Sequence, residues 1–289
     1  MTTVQQMQRR QEWMREYLIE VGEEPLAFVG TVTLASSRVD AANNIRRTLS
    51  VDDGWASTHP TWSAALVGLR RAVEEIGVLV VVNGIVENNT RQKLDPEEFR
   101  GFVLCDDYAP LIFINGADFT SAQMFTLAHE LAHLWLGTDG VFNLVDLQPY
   151  DDDVERFCNE VAAEVLIPGD ELDGCWPSVA ESAEPFQALA RRFKVSPLVA
   201  ARRVLDRELM ARDDFYGFLG QYETDERRRS AQQSSGGNFY NAQRGRVGRR
   251  FGSAVIRAAR EGRLLYRDAY RLTGLHGRSF DQFAQTLGL

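Results

Sequence analysis

The amino-acid sequence predicts an α+β fold, in which a small β-sheet packs against helices and an additional helical module follows at the C-terminal end. Helical periodicity marks the segment 61–76, and an almost wholly apolar stretch at 120–136 is long enough for a buried helix. Between them lie short apolar runs that predict strands, at 78–82, 102–105 and 111–114. A basic, helix-patterned stretch after residue 220 predicts the C-terminal module.

Length and composition are those of an ordinary globular protein. The 289 residues suffice for one or two domains, and 44% of them are hydrophobic and 25% charged. No apolar run approaches the roughly 20 residues that cross a bilayer, and the polar N-terminus lacks a secretory signal. The number of cysteines is odd, which predicts free thiols in a reducing compartment; they are Cys105, Cys158 and Cys175. We therefore expect a cytoplasmic protein.

The N-terminal part is predicted to be helical. Helices are expected at 5–22 and 36–49, so residues 1–60 are assigned to an N-terminal helical extension. The next helix, 61–76, places its apolar residues on one face of a 3.6-residue period: Trp62, Leu66, Leu69, Val73 and Ile76. Gly77 follows as a stop signal.

Three more helices follow the central apolar helix. The first, at 153–167, ends before Pro168, and a helix pair is predicted at 184–193 and 196–209. Together with the strands and the central helix, they complete a predicted domain at 61–220.

Charge is distributed unevenly along the chain. From residue 225 to the C-terminus there are 13 arginines, no lysine and 5 acidic residues, although the whole chain has a net charge of −9. We predict that residues 221–289 form a basic module with helices at 241–261, 264–273 and 279–287. Such a module suggests contact with an acidic surface, either nucleic acid or protein. The alternative is a solvated helical surface, since no base-reading motif is recognised.

The central helix carries an HExxH motif at residues 129–133. Histidines four positions apart project from one helix face, so the imidazoles of His129 and His133 can bind one zinc ion. Glu130 points toward the same cavity, where its carboxylate can take a proton from water as the water attacks a carbonyl group. The spacing therefore predicts a catalytic site with one Zn²⁺ per chain and Glu130 as the general base.

The alternative interpretation of this motif is a set of polar residues on a helix surface. The helix is expected to begin with Thr120 or Ser121 as its N-cap and to end before Gly137. Its apolar residues lie on nearly every side, so the helix should be buried. Buried imidazoles and a carboxylate without partners would be costly, whereas a metal ion satisfies them. We therefore favour the metal site.

A catalytic zinc ion needs a third protein ligand. Asp139 lies six residues after His133, the spacing of metzincins, but Leu136 stands where those enzymes need a glycine. Glu155, at the start of the next helix, is the preferred third ligand. Asn159 lies one turn further along the same face, and we predict that it hydrogen-bonds a metal-binding residue.

Helical phase also assigns other residues of the helix 153–167. Glu160 and Glu164 lie roughly 140–180° from Glu155 around the axis, at about 100° per residue, so they are expected to face solvent. Cys158 lies beside the metal-facing side and could supply a thiolate ligand. A small residue against an apolar helix is more often part of the core.

Several segments follow one another in an order typical of one family, at residues 101–107, 110–115, 125–133 and 155–168. They closely resemble the ImmA/IrrE metallopeptidase family, over about residues 60–210. The resemblance implies a gluzincin-like zinc peptidase that cleaves a helix-turn-helix transcriptional repressor. It also implies that Glu130 is the general base and that zinc is bound by His129, His133 and Glu155. Cys158 and Val161 depart from the usual residues of the family, which bears on local packing more than on the ligands.

Residues 186–206 have the pattern of a helix-turn-helix with arginines on the second helix. DNA binding would follow if the second helix were exposed. The resembling family uses such a helix pair to close the peptidase domain, so we favour packing.

The sequence also offers candidates for substrate contacts. The strand 111–114 is a candidate sheet edge to which a peptide could add as a further strand, with Leu111 and Phe113 as contact residues. Tyr108 and Tyr150 are candidates for stabilising the oxyanion.

Residues 139–155 contain six acidic side chains and no basic one, which predicts a negative rim around the metal. Such a rim would attract a basic DNA-binding repressor, with Asp151, Asp152 and Asp153 aiding capture. We therefore expect a zinc-dependent endopeptidase that cleaves this kind of repressor and thereby derepresses genes. The alternative is a non-catalytic DNA-binding regulator, or a toxin–antitoxin-like component, with a structural zinc site.

Overall fold

The computed structural model describes residues 3–86, 89–142, 152–224 and 245–289. The strands are β1 (Leu79–Asn83), β2 (Ile85–Val86), β3 (Asn89–Lys93), β4 (Gly101–Leu104), β5 (Leu111–Asn115) and β6 (Gly140–Phe142). The helices are α1 (Thr3–Glu20), α2 (Arg38–Thr48), α3 (Trp62–Glu75), α4 (Thr120–Leu136), α5 (Asp153–Leu166), α6 (Gly169–Val179), α7 (Pro185–Phe193), α8 (Pro197–Asp206), α9 (Arg212–Thr224), α10 (Arg249–Arg260), α11 (Tyr266–Thr273) and α12 (Arg278–Thr286).

A mixed sheet has the strand order β1-β5-β4-β6 among the described residues. β1 runs parallel to β5, with Leu79 opposite Leu111, whereas β4 pairs antiparallel with both β5 and β6. β2 and β3 form a separate antiparallel pair. A small mixed sheet among many helices confirms the predicted α+β fold class.

Both faces of the main sheet are covered, which explains why its strands are continuously apolar. Val80, Val103 and Ile112 lie in a core that they share with α3, α4 and α5. Leu79 and Phe102 point the other way, into a second core formed with α1 and α10 to α12. The side chains alternate between the two cores because successive residues of a strand point to opposite faces.

The N-terminal helices divide between the two cores. α2 packs against α4 and α5, whereas α1 packs against α10. Arg10 of α1 is buried and donates from Nε to the carbonyl oxygen of Leu272 (3.0 Å) and from Nη1 to that of Arg246 (2.7 Å). α1 is therefore tied to the C-terminal helices. The division of the chain into three units stays a prediction.

Most predicted helices recur within a few residues of their expected bounds. α4 has the predicted span, and Gly137 ends it in the left-handed conformation with φ +70°. Its N-cap position is Phe119, which makes no side-chain cap bond, and not Thr120 or Ser121 as expected. The sequence patterns do not predict α6, which contains Pro177, or the three-residue strand β6. None of the described helices is long and apolar enough to cross a membrane.

The prediction of an edge at 111–114 is wrong. β5 lies inside the sheet, between β1 and β4, and Leu111 and Phe113 are 0% exposed. Both side chains pack in the second core, so a substrate cannot contact them. An apolar run cannot by itself distinguish an inner strand from an edge strand. In the described part of the sheet the outer positions belong to β1 and β6.

Candidate metal centre

α4 is buried along almost its whole length, since every residue from Gln123 to Trp135 is buried. The helix packs against the sheet on one side and against α5 on another. This arrangement places His129 and His133, one turn apart, in the protein interior. Their Nε2 atoms are 3.1 Å apart and their ring centroids 4.9 Å apart. The two imidazoles therefore converge on one point.

Glu155 of α5 completes this cluster. Its Oε2 lies 3.2 Å from Nε2 of His129, and its Oε1 lies 3.2 Å from Nε2 of His133. The potential ligand atoms of the three residues all lie within 4.8 Å of one another. Asp139, the alternative third ligand, instead accepts a hydrogen bond at Oδ1 from the backbone N–H of Cys105 (2.6 Å). The geometry thus favours Glu155.

Two further side chains hold the imidazole rings in place. Nδ1 of His129 lies 3.0 Å from Oδ1 of Asn159, and Nδ1 of His133 lies 3.2 Å from Oγ1 of Thr138. Because a carbonyl oxygen only accepts, Nδ1 of His129 donates, which leaves the lone pair of Nε2 facing the cluster. Asn159 lies where helical phase predicts. The sequence analysis did not identify Thr138. Its position directly after Gly137, which ends the helix, was the one signal that could have placed it near His133.

The protonation states suit metal binding. Burial lowers the pKa of His129 and so favours the neutral ring, although the neighbouring oxygens of Glu155 and Asn159 oppose this effect. Burial tends to raise the pKa of Glu155, but the two histidines beside its carboxylate outweigh this effect and lower the pKa to about 2. A neutral imidazole and an ionised carboxylate are the forms that bind a metal ion.

Glu130 is fully buried, and neither of its carboxylate oxygens has a hydrogen-bond partner in the described part of the chain. Burial, and secondarily the charge of Glu155, raises its pKa well above the ordinary range. Gly101 of β4 lets the sheet approach this carboxylate. A Cβ atom there would lie 3.2 Å from Oε1 of Glu130 and only 2.4 Å from Cγ2 of Thr126.

The donor set fits a zinc ion. Two imidazole nitrogens and one carboxylate oxygen are ligands that catalytic zinc sites use, with a further position left for water or substrate. The unpartnered carboxylate of Glu130 beside them supports the same interpretation, because buried polar groups normally have partners.

Comparison with known proteins agrees with this geometry. Residues 73–205 match the IrrE N-terminal-like domain family, a peptidase family. The chain contains an IrrE N-terminal-like domain. The radiation response metalloprotease IrrE of Deinococcus deserti is 35% identical over 104 residues, which cover 34% of this chain and 36% of that protein. The match thus spans about a third of the length of this curated relative. Residues 247–286 match a domain of unknown function, DUF8813.

The thiols near the metal centre of the IrrE-like domain are not arranged as ligands. Cys158 is not a member of the cluster of His129, His133 and Glu155. Burial, and secondarily the charge of Glu155, raises the pKa of its thiol. Cys105 donates from Sγ to the carbonyl oxygen of Thr138 (3.2 Å). Burial and nearby negative charges raise its pKa to about 12. The cluster of possible ligands in the described residues contains neither thiol.

The acidic residues before Glu155 have local structural roles in the IrrE-like domain. Asp152 is the N-cap of α5, and its Oδ1 accepts a hydrogen bond from the backbone N–H of Val154 (2.8 Å). Asp153 forms an ion pair with Arg156. Asp152 and Asp153 are exposed, so they remain accessible to a partner. Asp151 lies outside the described residues.

Of the two tyrosines proposed for the oxyanion, Tyr108 lies away from the cluster of His129, His133 and Glu155. Tyr108 packs against the second core, on the far side of the sheet from α4. The guanidinium of Arg15 lies over its ring, 6.0 Å from the centroid. Tyr150 lies outside the described residues.

The helix pair predicted at 186–206 corresponds to α7 and α8, and both helices pack into the core of the IrrE-like domain. Arg203 of α8 is buried and donates from Nε to the carbonyl oxygen of Ile167 (3.1 Å). Arg202, which is exposed, forms an ion pair with Asp206 (2.8 Å). The preference for packing over DNA binding is therefore supported.

The prediction that Glu160 and Glu164 face solvent is confirmed for Glu160 and wrong for Glu164. Glu160 is exposed and pairs with Arg38 (2.8 Å). Glu164 is buried, which contradicts the prediction. Arg203 pairs with its carboxylate, and the backbone N–H of Gly169 donates to its Oε1 (3.0 Å). Helical phase could not show that α8 covers this side of α5.

Proposed function

We propose that the IrrE-like domain is a zinc-dependent endopeptidase. The observation that carries this proposal is Glu130, a fully buried carboxylate without a partner among the described residues, beside the cluster of His129, His133 and Glu155. A carboxylate that makes no internal bond is available to a water molecule and a substrate. The relative from Deinococcus deserti is named a metalloprotease, which supports the same activity.

The roles of the residues follow from their positions. His129, His133 and Glu155 would hold the zinc ion, which supplies Lewis acidity that activates water and polarises a carbonyl group. Glu130 takes the proton from the attacking water and passes it to the leaving amine nitrogen. Asn159 keeps the ring of His129 in the orientation that ligation needs.

The proposed substrate is a basic DNA-binding repressor, whose cleavage would derepress genes in the cytoplasm. The exposed carboxylates of Asp152 and Asp153 lie at the start of the helix that carries Glu155, and no basic residue occurs between 139 and 155. Their negative charge would attract a basic protein toward the metal centre. The three free cysteines suit a reducing cytoplasm.

The test is cleavage of a purified repressor, the one encoded beside the gene for this chain, by the zinc-loaded full chain. Gel electrophoresis and mass spectrometry should detect a defined product, which should be absent with Glu130→Gln. Glu160→Gln is the matched control, because it makes the same chemical change at an exposed position on α5. Cleavage by Glu130→Gln at the wild-type rate would overturn the peptidase proposal. Cleavage of a general substrate such as casein, but not of the repressor, would overturn only the choice of substrate.

A further inference from the structure

α11 and α12 are consecutive helices of the C-terminal module, joined by a short turn. The turn, residues 274–277, is four residues long. Gly274 ends α11 with φ +71°, and Gly277 precedes α12 with φ +48°. Glycine adopts these positive φ angles without the steric cost that other residues meet, which permits a sharp turn. Leu275, inside the turn, is buried in the second core, so the turn has a fixed position.

One face of α12 attaches the helix to the rest of the protein. Phe280, Phe283 and Ala284 are buried in the second core, which also contains residues of α10 and α11. α10 is anchored in turn, since Oε1 of Glu74 in α3 accepts a hydrogen bond from the backbone N–H of Arg249 (2.7 Å). The inner face of α12 is therefore held by packing.

The opposite face of α12 carries the polar residues Arg278, Asp281, Gln282 and Gln285. Their spacing of i, i+3, i+4 and i+7 places them together on one side of the helix. Arg278, Asp281 and Gln285 are exposed and Gln282 is partly exposed. Arginine, glutamine and aspartate are side chains that recognise base edges in the major groove of DNA.

The C-terminal module as a whole is positively charged. Residues 245–289 contain nine arginines and no lysine against three acidic residues. Arg257 and Arg260 of α10 and Arg271 of α11 are all exposed. Exposed arginines bind the phosphates of the DNA backbone and supply most of the sequence-independent affinity.

The helix pair α7–α8 provides a contrast within the same chain. There both arginines of the second helix have partners, since Arg203 is buried against Glu164 and the exposed Arg202 pairs with Asp206. On α12 the polar face is instead turned to solvent.

We propose that the C-terminal module binds double-stranded DNA, with the N-terminal part of α12 in the major groove and with Arg278 and Gln285 contacting bases. Arg271, Arg257 and Arg260 would contact phosphates. This binding is independent of the proposed peptidase activity.

The test uses the zinc-loaded full chain to select sites from a library of duplexes with a randomised central segment, followed by fluorescence anisotropy on a selected duplex. We expect one enriched sequence, with affinity that falls steeply as salt is raised. Arg278→Ala and Gln285→Ala should each raise Kd about tenfold or more on the selected duplex, and much less on a shuffled one. Circular dichroism should show that both variants are folded.

A double variant, Arg191→Ala with Arg202→Ala, is the matched control, because it removes exposed arginines from α7–α8. Its Kd should stay within about twofold of the wild type, and Glu130→Gln should also bind normally. The proposal is overturned if no sequence is enriched, if single-stranded RNA competes as well as the selected duplex, or if the α12 variants bind like the control.

Discussion

Glu130 and Glu164 are both buried carboxylates on neighbouring helices of one core, and they are 0% and 8% exposed. Glu164 is paired with the guanidinium of Arg203 and accepts a hydrogen bond from Gly169. Neither oxygen of Glu130 has a partner among the described residues. The carboxylate of Glu164 is thus fully satisfied, whereas the carboxylate of Glu130 is not.

This difference separates a structural group from a functional one. A buried carboxylate without a partner destabilises the folded protein, so it is normally paired or replaced. Such a group is found chiefly where the side chain must stay free for chemistry. Glu164 connects α5 to α8, whereas Glu130 lies beside the cluster of His129, His133 and Glu155.

Exchanging Glu130 for glutamine gives the largest expected effect. We expect kcat/KM to fall about 10²- to 10⁴-fold, because an amide cannot accept the proton. The unfolding free energy of the metal-free protein should not decrease, since the exchange removes an unpaired carboxyl group. Cleavage assays and urea denaturation measure the two quantities. Lower stability with unchanged activity would place Glu130 in the same structural class as Glu164.

Arg203→Met removes the charged partner of Glu164, the structural carboxylate. We expect the free energy of unfolding to fall by about 3–5 kcal/mol, because Glu164 would be left buried without its charged partner. Arg202→Met, at an exposed position one residue earlier, should change it by only about 0.5 kcal/mol. Urea denaturation of both variants tests this difference. Equal free energies of unfolding for the two variants would mean that the pair of Arg203 with Glu164 stabilises the protein no more than an exposed ion pair does.

Asn159→Ala tests whether the metal centre depends on the side chain that holds the ring of His129. Loss of the hydrogen bond to Nδ1 of His129 should weaken zinc binding about 10- to 100-fold. Competition with a coloured chelator measures the affinity. Asn43→Ala on α2 makes the same chemical change away from the cluster, and it should bind zinc like the wild type. If both variants bind equally well, the ring of His129 needs no support from Asn159.

Asp152 and Asp153 are exposed carboxylates, unlike Glu130 and Glu164, and their exchange is expected to have the smallest effect. Asp152→Asn with Asp153→Asn should slow cleavage of a basic repressor a few-fold at low salt. The difference should vanish near 1 M salt, where the Debye length is about 3 Å. Asparagine still caps a helix, so α5 should stay intact. A rate that is unchanged at every salt concentration would leave Asp152 with its cap role alone.

The sequence alone predicts the parts of the site that depend on local periodicity. The span of α4 follows from its apolar run and from Gly137, and the positions of Glu155 and Asn159 follow from helical phase. The i, i+4 spacing of His129 and His133 leads directly to the 3.1 Å between their Nε2 atoms.

The features that the sequence could not predict depend on contacts between distant segments. Glu164 is buried because Arg203, 39 residues away, pairs with it. β5 is an inner strand because β1 and β4 flank it, which an apolar run does not encode. The roles of Thr138 and Gly101 likewise appear only when the loop after α4 and the strand β4 are placed against α4.

The most direct test of the central claim is the zinc content of the purified chain, measured by elemental analysis for the wild type, Glu130→Gln and His133→Ala. We predict one zinc ion per chain in the wild type and in Glu130→Gln, because Glu130 is not a ligand. His133→Ala should lose most of its zinc, since one of three converging ligands is removed. Full zinc content in His133→Ala would contradict the account, because the cluster of His129, His133 and Glu155 would then not be the metal centre.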